Sequence, residues 1–301
     1  MEKEKLMTEE EWLAKYNASQ KKSKKKNTKK WVRNGVALTL VAVLSIAGTL
    51  AYLQKKSGTK TNTFTGSAGL KLILTETQWD WDNDDDPDDG EPLKNASEYK
   101  PETEYKKNPQ LVNTNAFSDL TTDTDHAITD VTTTNSKYDE YVAMRIDFKG
   151  ATEGTSVTYN NILSVIEPIQ FNTSDWELVK AYTTQWVDVT NADIADSNSN
   201  GKIEKNELGA NILNAKCLIF AFKTGSGYKT LAKNTYTSAL YDSIKTLASI
   251  PGTLGGTDSA DKDFPTFSLI MSGAAVDTAS FSSATDTKII TALFGLLDTA
   301  P

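Results

Sequence analysis

The chain has 301 residues, of which 38% are hydrophobic and 24% are charged, and its net charge is −8. That length can bury the core of one large domain or of two small ones. The charge is uneven, because residues 1–51 carry eleven basic and five acidic side chains, whereas residues 52–301 carry 21 basic and 35 acidic ones. An acidic body argues against nucleic acid and anionic lipid as partners, since both bind to cationic surfaces.

A membrane-targeting helix is predicted near the N-terminus. A Lys-rich cytosolic leader, residues 1–34, precedes an uncharged apolar run of nineteen residues at 35–53. At about 1.5 Å of rise per residue the run spans about 28 Å as a helix, which just suffices to cross a bilayer. The basic flank predicts insertion with the N-terminus inside the cell, so that the residues after 53 are exported and only residues 35–53 contact the membrane.

Small residues end the apolar run, and they favour cleavage by a signal peptidase after Ala51. Thr49 and Ala51 would fill the two pockets of such an enzyme that accept small side chains. The same residues could instead pack against another membrane helix, and the run would then remain as an anchor. The sequence leaves both outcomes open, a secreted protein or one held at the cell surface.

The exported domain, residues 67–301, is predicted to be mainly β. Apolar and other side chains alternate at residues 141–148, which predicts a strand with one buried and one solvent-facing side, and residues 70–74 repeat the alternation. The segment 239–247 has a helical spacing of apolar residues, but the threonines just before it favour a strand. Further predicted elements are inner strands at 215–223 and 266–272, a hairpin at 176–189 and a helix at 284–297.

Patches spread over the exported part resemble the TasA/camelysin family. The most specific patch joins the run GTLAYL at 48–53 to NTFTG at 62–66 and to the strand-like stretch 70–76, in the order in which those proteins begin. Weaker likenesses lie at residues 105–114, 138–146 and 267–281. The resemblance implies a jelly-roll-like β-sandwich with a few short helices, secreted through a signal peptide that a SipW-type signal peptidase processes.

The same resemblance implies how the protein would assemble. Some members of the family form fibres by passing an N-terminal strand to the next subunit, and here residues 54–66 would be the linker and the donor strand. The expected partners are the signal peptidase, further copies of the chain and other matrix proteins. Camelysin also carries a peptidase label, which makes a metallopeptidase the remote alternative.

Two insertions interrupt the predicted sandwich, at residues 80–104 and 190–213. The first begins with DWDNDDDPDDGE, which has eight acidic residues in twelve. Such a run repels itself and predicts an exposed loop, with weak calcium binding as the alternative.

The second insertion contains the sharpest chemical motif of the chain. Residues 196–207 match D-x-[DN]-x-[DN]-G-x₅-E, in which oxygen atoms at fixed positions surround one Ca²⁺ and Gly201 permits a sharp turn. Residues 205–215 predict a helix that leaves the loop, whereas the residues before it are a poor helix. A polar turn without a cation is the alternative. The predicted ligands are Asp196, Asn198, Asn200, Lys202 through its carbonyl group, Glu204 and Glu207.

Catalysis is not expected from this sequence. The chain has one histidine, His126, and one cysteine, Cys217, whereas zinc hydrolysis and thiol catalysis use several such residues together. We therefore expect a secreted structural protein of the cell surface or biofilm matrix that forms fibres by strand exchange and is stabilised by calcium. A membrane-anchored, calcium-binding adhesin or pilin-like subunit is the alternative.

Overall fold

The computed structural model of the protein describes much of residues 67–301. The apolar run at 35–53, the candidate donor strand at 54–66 and the acidic stretch at 80–98 lie outside the described residues. Within the described part, no helix is both long and apolar enough to cross a membrane. The described residues are 70–79, 99–114, 116–132, 138–150, 155–224, 227–256, 264–281 and 285–301.

The elements are mostly short strands joined by turns. The longest strands have eleven residues and the longest helix has twelve. In chain order the strands are β1 (Ile73–Thr75), β2 (Glu104–Lys106), β3 (Gln110–Val112), β4 (Leu120–Thr122), β5 (Ile128–Val131), β6 (Glu140–Gly150), β7 (Trp176–Tyr182), β8 (Trp186–Asp188), β9 (Cys217–Thr224), β10 (Gly227–Tyr228), β11 (Ser243–Lys245) and β12 (Phe267–Asp277). The α-helices are α1 (Tyr159–Ile162), α2 (Ala210–Leu213) and α3 (Asp286–Leu297), and 3₁₀-helices lie at Phe117–Asp119, Asn191–Ile194 and Lys205–Glu207.

One antiparallel sheet organises the described part of the domain. Its strands follow the order β12-β6-β9-β7-β8, and β10 pairs with β9. Strands β6 and β12 pair over eleven residues without a register shift, from Gly150 opposite Phe267 to Glu140 opposite Asp277. Three two-stranded pieces, β1-β3, β2-β11 and β4-β5, complete the described strands. The prediction of a mainly β domain is therefore confirmed.

The larger core lies on one face of this sheet. Val142, Met144 and Phe148 of β6 alternate along the strand and are buried together with Leu74 of β1 and Leu111 of β3. The hydrophobic alternation in the sequence thus marks the face of β6 on which β1 and β3 are packed.

The other face of the sheet is covered as well, and here the prediction of a solvent-facing side for β6 is wrong. Helix α3 places Leu293 in a second apolar cluster with Ala143 of β6 and Cys217 of β9. Arg145 and Asp147, on the same face of β6, are only 5% and 8% exposed. Polar residues that an isolated strand would show to water are buried here because a helix packs over them.

The other predicted elements have mixed outcomes. The hairpin at 176–189 is confirmed as β7 and β8, and the helix at 284–297 is confirmed as α3. The run at 266–272 was predicted to be an inner strand, and within the described part of the chain β12 pairs only with β6 and is the outer strand of the main sheet. The segment 239–247 follows its strand interpretation, because β11 pairs with β2 through Ser243 to Lys245.

Candidate functional site

The predicted calcium loop, residues 196–207, is fixed to the domain by its eighth residue. Ile203 is buried in the larger core. The side chain of Gln170 holds the backbone of Ile203 on both sides, because Oε1 accepts from the Ile203 N–H at 2.7 Å and Nε2 donates to the Ile203 carbonyl at 3.1 Å. The polar part of the loop therefore projects from a well-anchored base.

The first half of the loop turns around the carboxylate of Asp196. One oxygen of Asp196 accepts from the N–H of Gly201 at 2.7 Å and the other accepts from the N–H of Asn200 at 3.2 Å. The amide oxygen of Asn198 also accepts from the Asn200 N–H, and that of Asn200 accepts from the Lys202 N–H. Gly201 has a φ of +88°, a conformation that glycine adopts without steric cost.

Glu207 closes the loop from its far end. Its Oε1 accepts from the N–H groups of Ser197 and Asn198 at 2.9 and 3.0 Å, and its Oε2 accepts from the N–H of Glu204 at 2.9 Å. These bonds, the one from Glu204 above all, lower the pKa of Glu207 below its usual range. The carboxylate is therefore ionised at neutral pH and sits where the last calcium ligand of the motif belongs.

All six predicted ligands belong to this one closed loop, and Asn198 also donates from Nδ2 to Glu204 at 3.3 Å. The carboxylates of Asp196 and Glu207 accept hydrogen bonds from backbone N–H groups. In the described part of the chain, no group of three or more His, Cys, Asp or Glu side chains converges to hold a metal. Cation binding would require Glu207 to exchange its N–H bonds for the ion. Asp196 and Glu207 are both half-buried, and the other four predicted ligands are exposed.

The helix predicted after the loop, at 205–215, is interrupted. A 3₁₀ turn at Lys205–Glu207 and the single turn of α2 replace it, with Leu208 and Gly209 extended between them. A Cβ atom at Gly209 would come within 2.8 Å of Asp193 Oδ1, so a side chain at this position would require the Asp193 carboxylate to move. The loop lacks the flanking helices of a paired EF-hand.

A second candidate site is the outer edge of β12. The N–H and C=O groups of Glu140 bond to Leu231, and the N–H of Phe148 bonds to Lys216. Neither partner is in β12, so the even-numbered residues of β6 direct their backbone groups away from β12. Odd-numbered residues of β6 must then bond to even-numbered residues of β12. It follows that the outward backbone groups of β12 belong to Phe267, Leu269, Met271, Gly273 and Ala275.

No backbone group of another described residue bonds to these outward groups. Met271 and Ala275 are nonetheless only 1% and 2% exposed. A Cβ atom at Gly273 would lie 2.5 Å from Leu111 Cδ2, so glycine is required where the side chain of Leu111 crosses the strand. A backbone group that is buried without a partner costs free energy, so Met271, Gly273 and Ala275, which have no backbone partner among the described residues, are where a paired strand would stabilise the sheet most.

The sequence analysis missed one buried acid, Glu140, at the first residue of β6. Its signal was present, because Glu140 is in phase with Val142 and Met144 and so belongs to the buried side of the strand. Cys217 lies in the apolar cluster under α3, where burial raises the pKa of its thiol. His126 lies at a turn between β4 and β5, distant in sequence from both candidate sites.

No family model, no curated protein and no solved structure matches the chain.

Proposed function

We propose that the protein is a secreted structural component of the cell surface or biofilm matrix, that its fold is a jelly-roll-like sandwich of the TasA/camelysin type, and that it assembles by strand addition. The observation that carries the proposal is the outer edge of β12, whose buried backbone groups lack partners among the described residues. A strand that pairs with Met271, Gly273 and Ala275 would complete the main sheet, as in other cases of recognition by β-augmentation.

The proposed donor is the segment at 54–66 of another copy. It contains Lys55, Lys56 and Lys60 and no acidic residue, whereas the exported part as a whole is acidic. Opposite charge favours the encounter of this segment with another subunit. The Thr- and Asn-rich composition lets the segment extend without burying apolar groups of its own.

The test of assembly uses the chain that begins at Tyr52, once mass spectrometry of the natural protein has established the mature N-terminus. We expect fibres in electron micrographs and monomers after removal of residues 54–66. Leu269→Pro removes one outward N–H of β12 without breaking a bond to β6, and it should block fibres in a folded protein. Ser268→Pro is the matched control, because it removes a bond to β6 and should lower the melting temperature.

Two results would overturn this proposal. Fibres that persist without residues 54–66 would contradict strand donation, and fibres that persist in a folded Leu269→Pro variant would contradict the β12 edge as acceptor. A natural protein that retains residues 35–53 would instead favour the membrane-anchored adhesin or pilin-like subunit.

The proposal also includes one Ca²⁺ in the loop at 196–207, as a structural ion that stiffens the insertion. A single loop with three acidic ligands, Asp196, Glu204 and Glu207, should bind in the extracellular range, with a Kd of about 10⁻⁴–10⁻³ M. At ten times that concentration the ion would stabilise the domain by about 1.4 kcal/mol.

Calcium binding to the loop at 196–207 is tested by isothermal titration calorimetry and by thermal melting with and without calcium. Glu207→Gln should abolish the heat of binding and the rise in melting temperature, while Glu177→Gln, on β7, should leave both unchanged. A response to calcium that survives Glu207→Gln would place the ion elsewhere.

A further inference from the structure

Glu140 is the one acidic side chain of β6 that points into the larger core. It is the first residue of the strand, it is 0% exposed, and it continues the buried phase of Val142 and Met144. Its backbone N–H and C=O groups exchange two hydrogen bonds with Leu231, at 2.9 and 2.8 Å, so the backbone is fixed at this residue. The side chain is therefore enclosed at a fixed point of the strand.

The carboxyl group of Glu140 is tied to the chain segment that enters β1. Its Oε1 accepts from the backbone N–H of Lys71 at 3.0 Å, two residues before β1 begins at Ile73. Its Oε2 is buried and has no hydrogen-bond partner among the described residues. The contact spans 69 residues of sequence, and it joins the beginning of β1 to the beginning of β6.

The charged groups around Glu140 do not neutralise it. Asp139 precedes it, and Asp277 of β12 stands opposite it in the sheet. Lys71 contributes its backbone N–H, and Lys233 donates its own backbone N–H to Asp139 at 3.0 Å. Among the described residues no ion pair includes Glu140.

Burial is the main cause that raises the pKa of Glu140, to about 7. The bond from Lys71 acts in the opposite direction, and the nearby charge of Asp139 adds to the rise. Near neutral pH the carboxyl group therefore changes between a neutral form that tolerates burial and an ionised form that does not.

We propose that Glu140 is a pH-sensitive latch that holds the beginning of β1 on β6 in its neutral form and releases it in its ionised form. The charged carboxylate is relieved when Lys71 and the residues behind it move away and admit water. The latch stands independently of the proposed function, because it concerns only the attachment of β1 within one copy of the chain.

Hydrogen exchange of the full-length chain in mild detergent, corrected for the intrinsic effect of pH, tests the latch. Between pH 5.5 and 8.5 we expect the protection of residues 71–75 to fall on the order of 30-fold relative to β9, residues 217–223. Glu140→Gln should keep β1 protected throughout, whereas the exposed control Asp125→Asn should behave as the wild type.

An unchanged ratio of β1 to β9 protection in the wild type, or the same pH dependence in Glu140→Gln, would overturn the latch. If Glu140→Gln does not fold, a carbon-13 titration of the wild-type glutamate carboxyl groups decides. A group with a midpoint near pH 7 supports the proposal, and midpoints that all lie near pH 4.5 contradict it.

Discussion

Two ion pairs are buried within the described part of the domain, and each is supported by a further contact. Lys107 Nζ lies 2.8 Å from the carboxylate of Glu76 and 4.4 Å from the centre of the Trp79 ring. Arg145 binds Asp147 through two parallel bonds of 2.8 and 2.6 Å. Since a buried charge without a partner is costly, each pair makes its two residues dependent on one another.

Lys107→Met tests this dependence for the first pair. The variant leaves Glu76 buried without its cation, so the free energy of unfolding in urea should fall by about 3–5 kcal/mol. The double variant Glu76→Gln with Lys107→Met removes both charges and should regain most of that loss. If the double variant were as unstable as Lys107→Met alone, the cost would come from packing and not from an unpaired charge.

Glu140 makes the stability of the whole domain depend on pH. Because its folded pKa of about 7 exceeds its usual value of 4.5, the neutral form is favoured by folding. Stability is complete below pH 4.5 and falls as the pH rises towards 7, by about 3 kcal/mol if water reaches the group only on unfolding. Urea unfolding of wild type and Glu140→Gln at pH 5 and 8 measures the difference, which should appear only in the wild type.

At the level of elements, helix α3 is the cover of one face of the main sheet. Its N-terminal residue Asp286 lies 3.5 Å from Lys223 of β9, and Trp186 donates to the carbonyl of Asp298 just beyond its end. Arg145 also donates to the carbonyl groups of Leu297 and Thr299, which are otherwise without intrahelical donors. Both ends of α3 are thus tied to the strands beneath it.

The reactivity of the Cys217 thiol measures whether helix α3 is packed on the sheet. Cys217 is fully buried in the cluster beneath α3, so a thiol reagent should react with it very slowly in the native protein. Leu293→Ala opens a cavity in that cluster and costs about 2–5 kcal/mol, and it should raise the rate of labelling.

Leu72→Ala is the control for this labelling experiment, because Leu72 lies in the core on the other face of the sheet. It should lower overall stability without an equal rise in labelling under native conditions. Equal rates in the two variants would mean that Cys217 is exposed only by global unfolding.

For the molecule as a whole, net charge opposes association. Residues 52–301 carry 35 acidic and 21 basic side chains, so copies of this part repel one another at low ionic strength. Salt between about 0.05 and 0.5 M shortens the range of that repulsion and should speed assembly. Light scattering of the chain from Tyr52 measures this, and assembly that slowed with salt would show that the attraction of the lysines in residues 54–66 to the acidic subunit outweighs the net repulsion.

Much of the local structure could be predicted from the residues. Alternation identified the buried phase of β6, and turn residues placed the β7–β8 hairpin. The spacing of residues 196–207 predicted a closed loop around a calcium ion, and the calcium part of that hypothesis stays a prediction. These features depend on neighbours in sequence, and their signals therefore lie within a dozen residues.

The rest depended on partners far along the chain. The face of β6 that was predicted to contact solvent is buried in a second apolar cluster, because helix α3 packs on it. The segment 239–247 contains a strand and not a helix, because β11 pairs with β2. The position of β12 at the edge of the sheet also could not be seen in its apolar sequence, which would suit an inner strand equally well.

Periodicity indicates which side chains of a strand share a face, and motif spacing indicates which residues belong to one loop, so both were accessible before any fold was known. Neither reports what lies opposite. The outward backbone groups of β12 and the enclosed carboxyl of Glu140 arise from contacts across 69 or more residues, since burial and hydrogen bonding at those positions are set by the whole chain. For that reason the loop at 196–207 could be predicted from the sequence alone. The outer edge of β12 and the burial of Glu140 were decided only by the tertiary structure.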